Sequence, residues 1–400
     1  MTRQPDEGKD SNTDGRSGPV DVLLAALRYD AHPHTWLAGL ASSQIDQGDL
    51  VVTALALGLA PWLHYRLEGW GVRLPEPRAQ AKLDFVRQTE ATRQAARRAQ
   101  MAEALARLPV APVVLKGAYL AEFVYPAPGL RPMNDIDLLF RPDDLPAVAT
   151  ALQALGYGAK EKSPELGPGI TKHTSTFQRV GGTTETPTPN PYLSAAGNRM
   201  IEPHRSLEES WFGLKCDLTP GMWERSQAIE IAGYPARALA PADNLLHLCV
   251  HLAFHLIMGS PSFVQLADLA VFTDRVKVDW LDFQLRARGL HAAGFAYAAA
   301  RLANQALAAP FPAEVLSGLA ASSPPRVRAA AESLSVADMM RRTQKPPLRT
   351  VGQRLGRGVA DRAETARWAH SGGEWLRVWW TLFDVRRTDT WQVLRQGAKA

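Results

Sequence analysis

The run Asp135-Ile-Asp-Leu-Leu-Phe140 constrains this chain more than any other feature of its sequence. In an extended strand successive side chains point to opposite faces, so Asp135 and Asp137 project together while Ile136, Leu138 and Phe140 turn into a core. Two carboxylates held side by side repel each other, more strongly as the local dielectric falls, and a cation between them makes the arrangement tolerable. Mg²⁺, or Mn²⁺ in its place, is the expected ion, because it prefers carboxylate oxygens together with phosphate and water. A pair of such ions about 3.5–4 Å apart activates an attacking oxygen and stabilises a leaving one in phosphoryl or nucleotidyl transfer. A third carboxylate completes a two-ion site. Glu202 is the candidate, on a later strand whose alternation puts His204 on the same face.

Ahead of this strand, Val113-Val-Leu reads as a short β-branched run that ends in Lys116-Gly117 and passes into a helical segment through Val124. Glycine at a strand-to-helix junction lets the backbone approach a phosphate, and the helix start offers unpaired N–H groups with a partial positive charge. Lys116 adds a full charge, and Arg131 and Lys172 are further cationic candidates for a nucleotide. Taken singly, Asp-x-Asp is a solvated strand face and Lys-Gly an ordinary turn. Their order carries the argument: strand, Lys-Gly, helix, turn, Asp-Ile-Asp, helix, then Glu-x-His on a strand.

The flanks are helical. Residues 19–108 read as helices, including one from Gly48 to Arg66 and a longer one from Ala79 to Ala106, with Pro75 and Pro77 between them. Residues 109–239 alternate strand and helix, with Leu145 to Leu155 a helix closed by Gly156 and further strands at Thr174 to Val180 and Asn198 to Arg205. The Gly/Thr/Pro-rich stretch from Gly181 to Ala196 reads as a loop beside the sheet. Residues 240–340 are helical, starting near Asp243. Residues 341–400 form a Trp-rich tail, helical in part, with 13 Lys/Arg against 5 Asp/Glu in a chain whose formal net charge is +5. The tail is expected to pack as a helix on the preceding helical domain; an anionic membrane or nucleic acid is the less favoured partner for its tryptophans and arginines. Met1 to Gly18 is polar, without the apolar segment of a signal peptide, and reads as disordered. With two cysteines, no Cys-x-x-Cys and no apolar run of the ~20 residues that a membrane span needs, the expected location is the cytoplasm.

Together these residues resemble the bacterial uncharacterised nucleotidyltransferase family, within the DNA-polymerase-beta-like nucleotidyltransferase superfamily. The resemblance is carried by Val113-Val-Leu-Lys-Gly117, by Tyr125-Pro-Ala-Pro-Gly-Leu-Arg-Pro-Met-Asn-Asp-Ile-Asp-Leu-Leu139, by Gly156-Tyr157 and by Glu202-Pro-His204. It continues through Leu245 to His255, Leu266-Ala-Asp-Leu-Ala270 and Asp279-Trp280, and spans roughly residues 50 to 300. It implies an α+β fold, a small mixed-sheet core flanked by N-terminal and C-terminal helical regions. It also implies that Gly117 contacts a triphosphate and that Asp135, Asp137 and Glu202 bind metal. Three departures stand out. The usual Gly-Ser or Gly-Gly pair becomes Gly117-Ala118, which keeps the backbone donors and loses a hydroxyl. Gly117 and Asp135 are 18 positions apart, longer than in many members of the superfamily. Pro203 removes a ladder donor, so its strand is expected to lie at an edge or end there.

His247, His251 and His255 recur every fourth residue and share one helix face. They read as structural or substrate-facing, with metal ligation the less favoured alternative; His173 and His204 are candidates to orient a ligand. The leading reading is a magnesium-dependent enzyme that moves AMP from ATP to a hydroxyl or similar acceptor on a small molecule, peptide or protein, in a natural-product or polysaccharide pathway. One rival keeps the metals and transfers another phosphoryl-type group. The other is a degenerate relative that serves as a binding or regulatory partner.

Overall fold

The structure is a computed structural model and describes residues 18–160, 175–179, 199–343 and 350–383. Lys172, His173, the loop from Gly181 to Ala196, the first seventeen residues and the tail beyond 383, Trp391 included, lie outside the described residues.

Helices α1 (Pro19–Leu27), α2 (Pro33–Ser43), α3 (Gln47–Ala56), α4 (Ala60–Gly69) and α5 (Pro77–Leu105) open the chain. The helix expected from Gly48 to Arg66 is therefore two. Gly58 adopts a left-handed φ of 71°, and the Leu59 N–H donates back to the Ala54 carbonyl at 2.8 Å, which ends α3. Pro61 then sits in the first turn of α4, where its missing N–H is harmless.

The α+β centre follows, with β1 (Val113–Val114), α6 (Lys116–Phe123), β2 (Asp135–Leu139), α7 (Leu145–Ala154), β3 (Gly158–Lys160), β4 (Thr176–Arg179) and β5 (Arg199–His204). The hairpins β6 (Glu208–Trp211) with β7 (Leu214–Asp217) and β8 (Gln227–Ile231) with β9 (Tyr234–Ala238) complete it, with the short helix α8 (Met222–Arg225) between them. Both hairpins turn through a residue pair at positive φ, Phe212-Gly213 and Ala232-Gly233, which matches the twist of the flanking strands. Seven strands form one mixed sheet in the order β3-β4-β5-β2-β1-β9-β8, and β6 and β7 form a separate pair. Strands β2 and β5 run parallel, with Asp137 opposite Glu202 and Leu139 opposite His204.

Strand β5 is interior to this sheet, and Pro203 is its penultimate residue, at the end that its missing donor led one to expect. The Phe140 N–H donates to the His204 carbonyl on the β2 side, so alternation turns the Pro203 nitrogen toward β4. The pairing with β4 stops opposite Ile201. The missing donor thus falls where that neighbour has ended.

Helices α9 (Pro241–Met258), α10 (Phe263–Arg275), α11 (Trp280–Gly289), α12 (Ala293–Leu307), α13 (Ala313–Ala321), α14 (Pro325–Glu332), α15 (Val336–Thr343), α16 (Val351–Ala366) and α17 (Gly372–Trp380) form the rest. One apolar cluster joins Leu23, Leu50 and Leu63 near the start of the chain to Phe254, Phe295 and Trp368 near its end, and takes in Val113 and Leu139 from the sheet. A second cluster fills the opposite sheet face, where Ile136, Leu138, Phe140 and Ile201 meet Met101, Val148 and Leu152. In α17, Val378 is buried and Trp375 and Trp379 pack toward the first cluster, while Leu376 and Trp380 are exposed.

Candidate active site

The polar face of β2 is the one opposite the second apolar cluster, and its local sequence places each group. The Leu115 N–H donates to the Asp137 carbonyl at 3.1 Å, which brings the end of β1 level with the carboxylates. Lys116 then takes a φ of 40°, a left-handed conformation that side-chain-bearing residues seldom adopt outside functional or tightly determined sites. Its ammonium lies 3.3 Å from Asp137 Oδ2. Across the sheet, the Asp137 Oδ1 and His204 Nε2 atoms are 2.6 Å apart. Thr176 on β4 donates its hydroxyl to Glu202 Oε1 at 3.1 Å.

The five residues expected on this face, Lys116, Asp135, Asp137, Glu202 and His204, therefore come together. Among the described residues, Asp137, Glu202 and His204 offer ligand atoms within 4.8 Å of one another, and all three are buried. Asp135 lies outside that trio and is partly exposed. Its carboxyl is pushed up to about 6, first by burial and then by the charges of Asp137 and Glu202, with Lys116 and Arg131 acting in the other direction. Burial works against the Lys116 ammonium, but the charges of Asp137, Glu209 and Asp135 outweigh it and hold it above the ordinary lysine range. Such a face, rich in buried carboxylates, is built to attract a cation. Its oxygen and nitrogen donors at short mutual spacing fit a divalent ion.

The bend lies where the sequence placed it, between β1 and α6. The left-handed residue is Lys116, and a side chain at Gly117 would collide with the Arg131 guanidinium and press on Met133. Close approach of Arg131 is a physical reason for glycine at this position. Arg131 itself forms a two-pronged pair with Asp268 on α10, at 2.8 and 3.1 Å, and Tyr125 donates its hydroxyl to the same carboxylate at 2.8 Å. The side chain expected to meet a nucleotide is thus engaged in tying the turn before β2 to the C-terminal helices. Ala118 packs its methyl among Val114 and Ile136 in the second apolar cluster, which leaves its backbone as its polar resource.

The histidines of α9 form a ladder. His247 is buried, its ring centroid 6.1 Å from that of His251, and the His251 and His255 rings meet edge to face at 4.4 Å. His251 Nδ1 lies 2.7 Å from Glu209 Oε1 on β6, and His255 Nδ1 lies 3.0 Å from the Ser260 carbonyl oxygen. Glu209 is a residue that sequence reasoning missed, and its charge acts on Lys116. Its strand, Glu208–Trp211, is four residues long, too short for alternation to mark a buried face. Arg97 on α5 was also missed; it donates to the Asn134 carbonyl at 3.1 Å and feels the charge of Asp135. A helical face gives no sequence signal for such a contact.

No helix among the described residues is long and apolar enough to cross a membrane. A family described as uncharacterised nucleotidyltransferase matches residues 43–308. No curated protein matches the chain, and no solved structure does.

Proposed function

The chain belongs to the uncharacterised nucleotidyltransferase family, and from that premise we propose that it joins a nucleoside monophosphate, AMP from ATP, to a hydroxyl or similar acceptor and releases pyrophosphate. The observation that carries this reading is the placement of Asp137 directly opposite Glu202, with Lys116 beside them at the strand-to-helix bend. We take residues 109–239 as a polymerase-beta-like catalytic core with helical flanks, in a cytoplasmic setting consistent with two buried, unpaired cysteines. Asp135, Asp137 and Glu202 would hold divalent ions, which supply Lewis-acid stabilisation of the charge that develops on the transferred phosphate.

The chain's own groups do the rest. Lys116 is a buried cation beside the carboxylates and supplies a positive charge to a triphosphate. The first turn of α6 presents backbone N–H groups of Gly117 and Ala118, which lack intrahelical partners and suit phosphate oxygens. The acceptor oxygen bonds to the α-phosphorus as the bond to the β-phosphate oxygen breaks, and the acceptor proton leaves. Lys172 and His173 belong to this proposal as nucleotide- and substrate-facing groups, and His251 and His255 as groups on the acceptor side. Incubation with Mg²⁺ or Mn²⁺, labelled nucleotides and candidate acceptors tests it. At least one nucleotide should bind, and a transferred group should add the mass of a nucleoside monophosphate. Binding undiminished in Asp135→Ala combined with Asp137→Ala would contradict it.

One observation favours a second reading. Both oxygens of Asp137 already have protein partners, Lys116 and His204. A degenerate relative acting as a binding or regulatory partner would have this closed arrangement. Titration calorimetry that finds neither metal nor nucleotide binding, alongside a stable complex with another protein, would select it.

A further inference from the structure

The carboxylate face differs from an all-oxygen magnesium site in one group. His204 is completely buried, follows Glu202 by two residues on the same face of β5, and meets Asp137 at 2.6 Å. Its nitrogen belongs with Asp137 and Glu202 to the set of ligand atoms that lie within 4.8 Å of one another. An ion bonded at about 2.0–2.3 Å to its donors spans at most about 4.6 Å between opposite ones, so small side-chain adjustments close the set. All three residues sit on adjacent, paired strands, which hold donors more rigidly than loops do.

The donor types decide which ion such a set prefers. Mg²⁺ takes oxygen ligands in near-ideal octahedral geometry and keeps much of its water, so a buried imidazole gives it little. Imidazole nitrogen strengthens binding of first-row transition ions, in an order that rises from manganese to copper and falls again at zinc. We propose that His204 is a direct metal ligand together with Asp137 and Glu202, and that this site takes a first-row transition dication in preference to Mg²⁺. The inference rests on the reading of this face as a metal site. On binding, the proton shared by His204 Nε2 and Asp137 Oδ1 would pass to solvent, which frees a lone pair on each atom for the ion; Lys116, 3.3 Å from the other oxygen of Asp137, would remain beside the set as a fixed positive charge. The resulting centre carries two carboxylates and one imidazole, with Asp135 left outside it for a second ion.

The test uses the full chain and Mn²⁺ as the probe, read by pulsed electron paramagnetic resonance. Bound Mn²⁺ should show coupling to nitrogen that changes when the histidines are labelled with ¹⁵N, and that disappears in His204→Gln. Calorimetry should give Mn²⁺ or Co²⁺ binding at least about tenfold tighter than Mg²⁺. His204→Gln should cost at least the roughly 10–100-fold in transition-ion affinity typical of disturbed metal sites, with Mg²⁺ affinity nearly unchanged. The labelled wild-type spectrum decides the matter even if the variant fails to fold. Bound Mn²⁺ without nitrogen coupling, or equal affinity for Mg²⁺, would overturn the inference. Nucleotide transfer with Mg²⁺ and no nitrogen coupling would overturn it while leaving the proposed function intact; nitrogen-coupled Mn²⁺ in a protein that binds no nucleotide would do the reverse. Failure to bind any of the three ions would sink both.

Discussion

Strands β2 and β5 carry two faces that obey opposite rules. On one, Ile136, Leu138, Phe140 and Ile201 are at most 1% exposed and meet apolar neighbours from α5 and α7. Each such burial contributes roughly 1.5–3 kcal/mol. On the other, Asp137, Glu202 and His204 are buried with Lys116 and beside Asp135, and like charges crowd one another. Lys116 offsets part of that repulsion, and the rest of the buried charge costs stability. The apolar face thus fixes the register in which Asp137 meets Glu202 and supports the costly burial of charge on the polar face.

The largest effects are expected on the polar face. Asp137→Asn keeps the shape and removes the charge shared by Lys116 and His204; nucleotide transfer should fall by about a thousandfold or more, as when charge stabilisation is removed from an active site, measured at saturating metal and nucleotide. On the apolar side, Leu138→Ala should lower the unfolding free energy by about 2–5 kcal/mol in a denaturant titration. Its effect on metal affinity should follow only from lost stability.

A smaller effect is expected at the bend. Gly117→Ala forces Arg131 away from its place against the helix start, and overpacking of this kind costs about 1–3 kcal/mol. The thermal midpoint should drop, and the interaction with an Asp268→Asn variant should be non-additive, because both act through Arg131.

The smallest effect separates the faces by pH. The Asp135 carboxyl is pushed up to about 6 in the folded chain, above its value of about 3.9 when unfolded. Between these values the native state binds more protons than the unfolded state, so metal-free stability should fall as pH rises from about 4 to about 6. Asp137 and Glu202 drive the shift beyond burial, and Lys116 and Arg131 oppose it. Asp135→Asn should abolish that slope and stabilise the metal-free protein near neutral pH by on the order of 1–3 kcal/mol. Unfolding curves at several pH values check both expectations.

Period-two alternation made much of this legible in sequence. It placed Asp135 with Asp137 and Glu202 with His204, and it assigned Ile136, Leu138 and Phe140 to the core. The bend between β1 and α6 was legible as well, though Lys116 carries the unusual backbone and Gly117 makes room for Arg131. The grip of Asp268 on Arg131 was not legible, because it joins residues 137 positions apart and no local pattern encodes such a pairing. The same holds for Glu209, whose four-residue strand is too short to announce itself. The histidine spacing on α9 correctly gave a shared face, but the partner of His251 on β6 lies 42 residues away.

The most direct test of the central claim is calorimetric titration of a nucleoside triphosphate, with and without divalent metal, into the wild-type chain and into Asp135→Asn combined with Asp137→Asn. The wild type should bind nucleotide only with metal, and the double variant should lose that binding while thermal stability is retained. Equal binding by both proteins, or binding indifferent to metal, would contradict that claim.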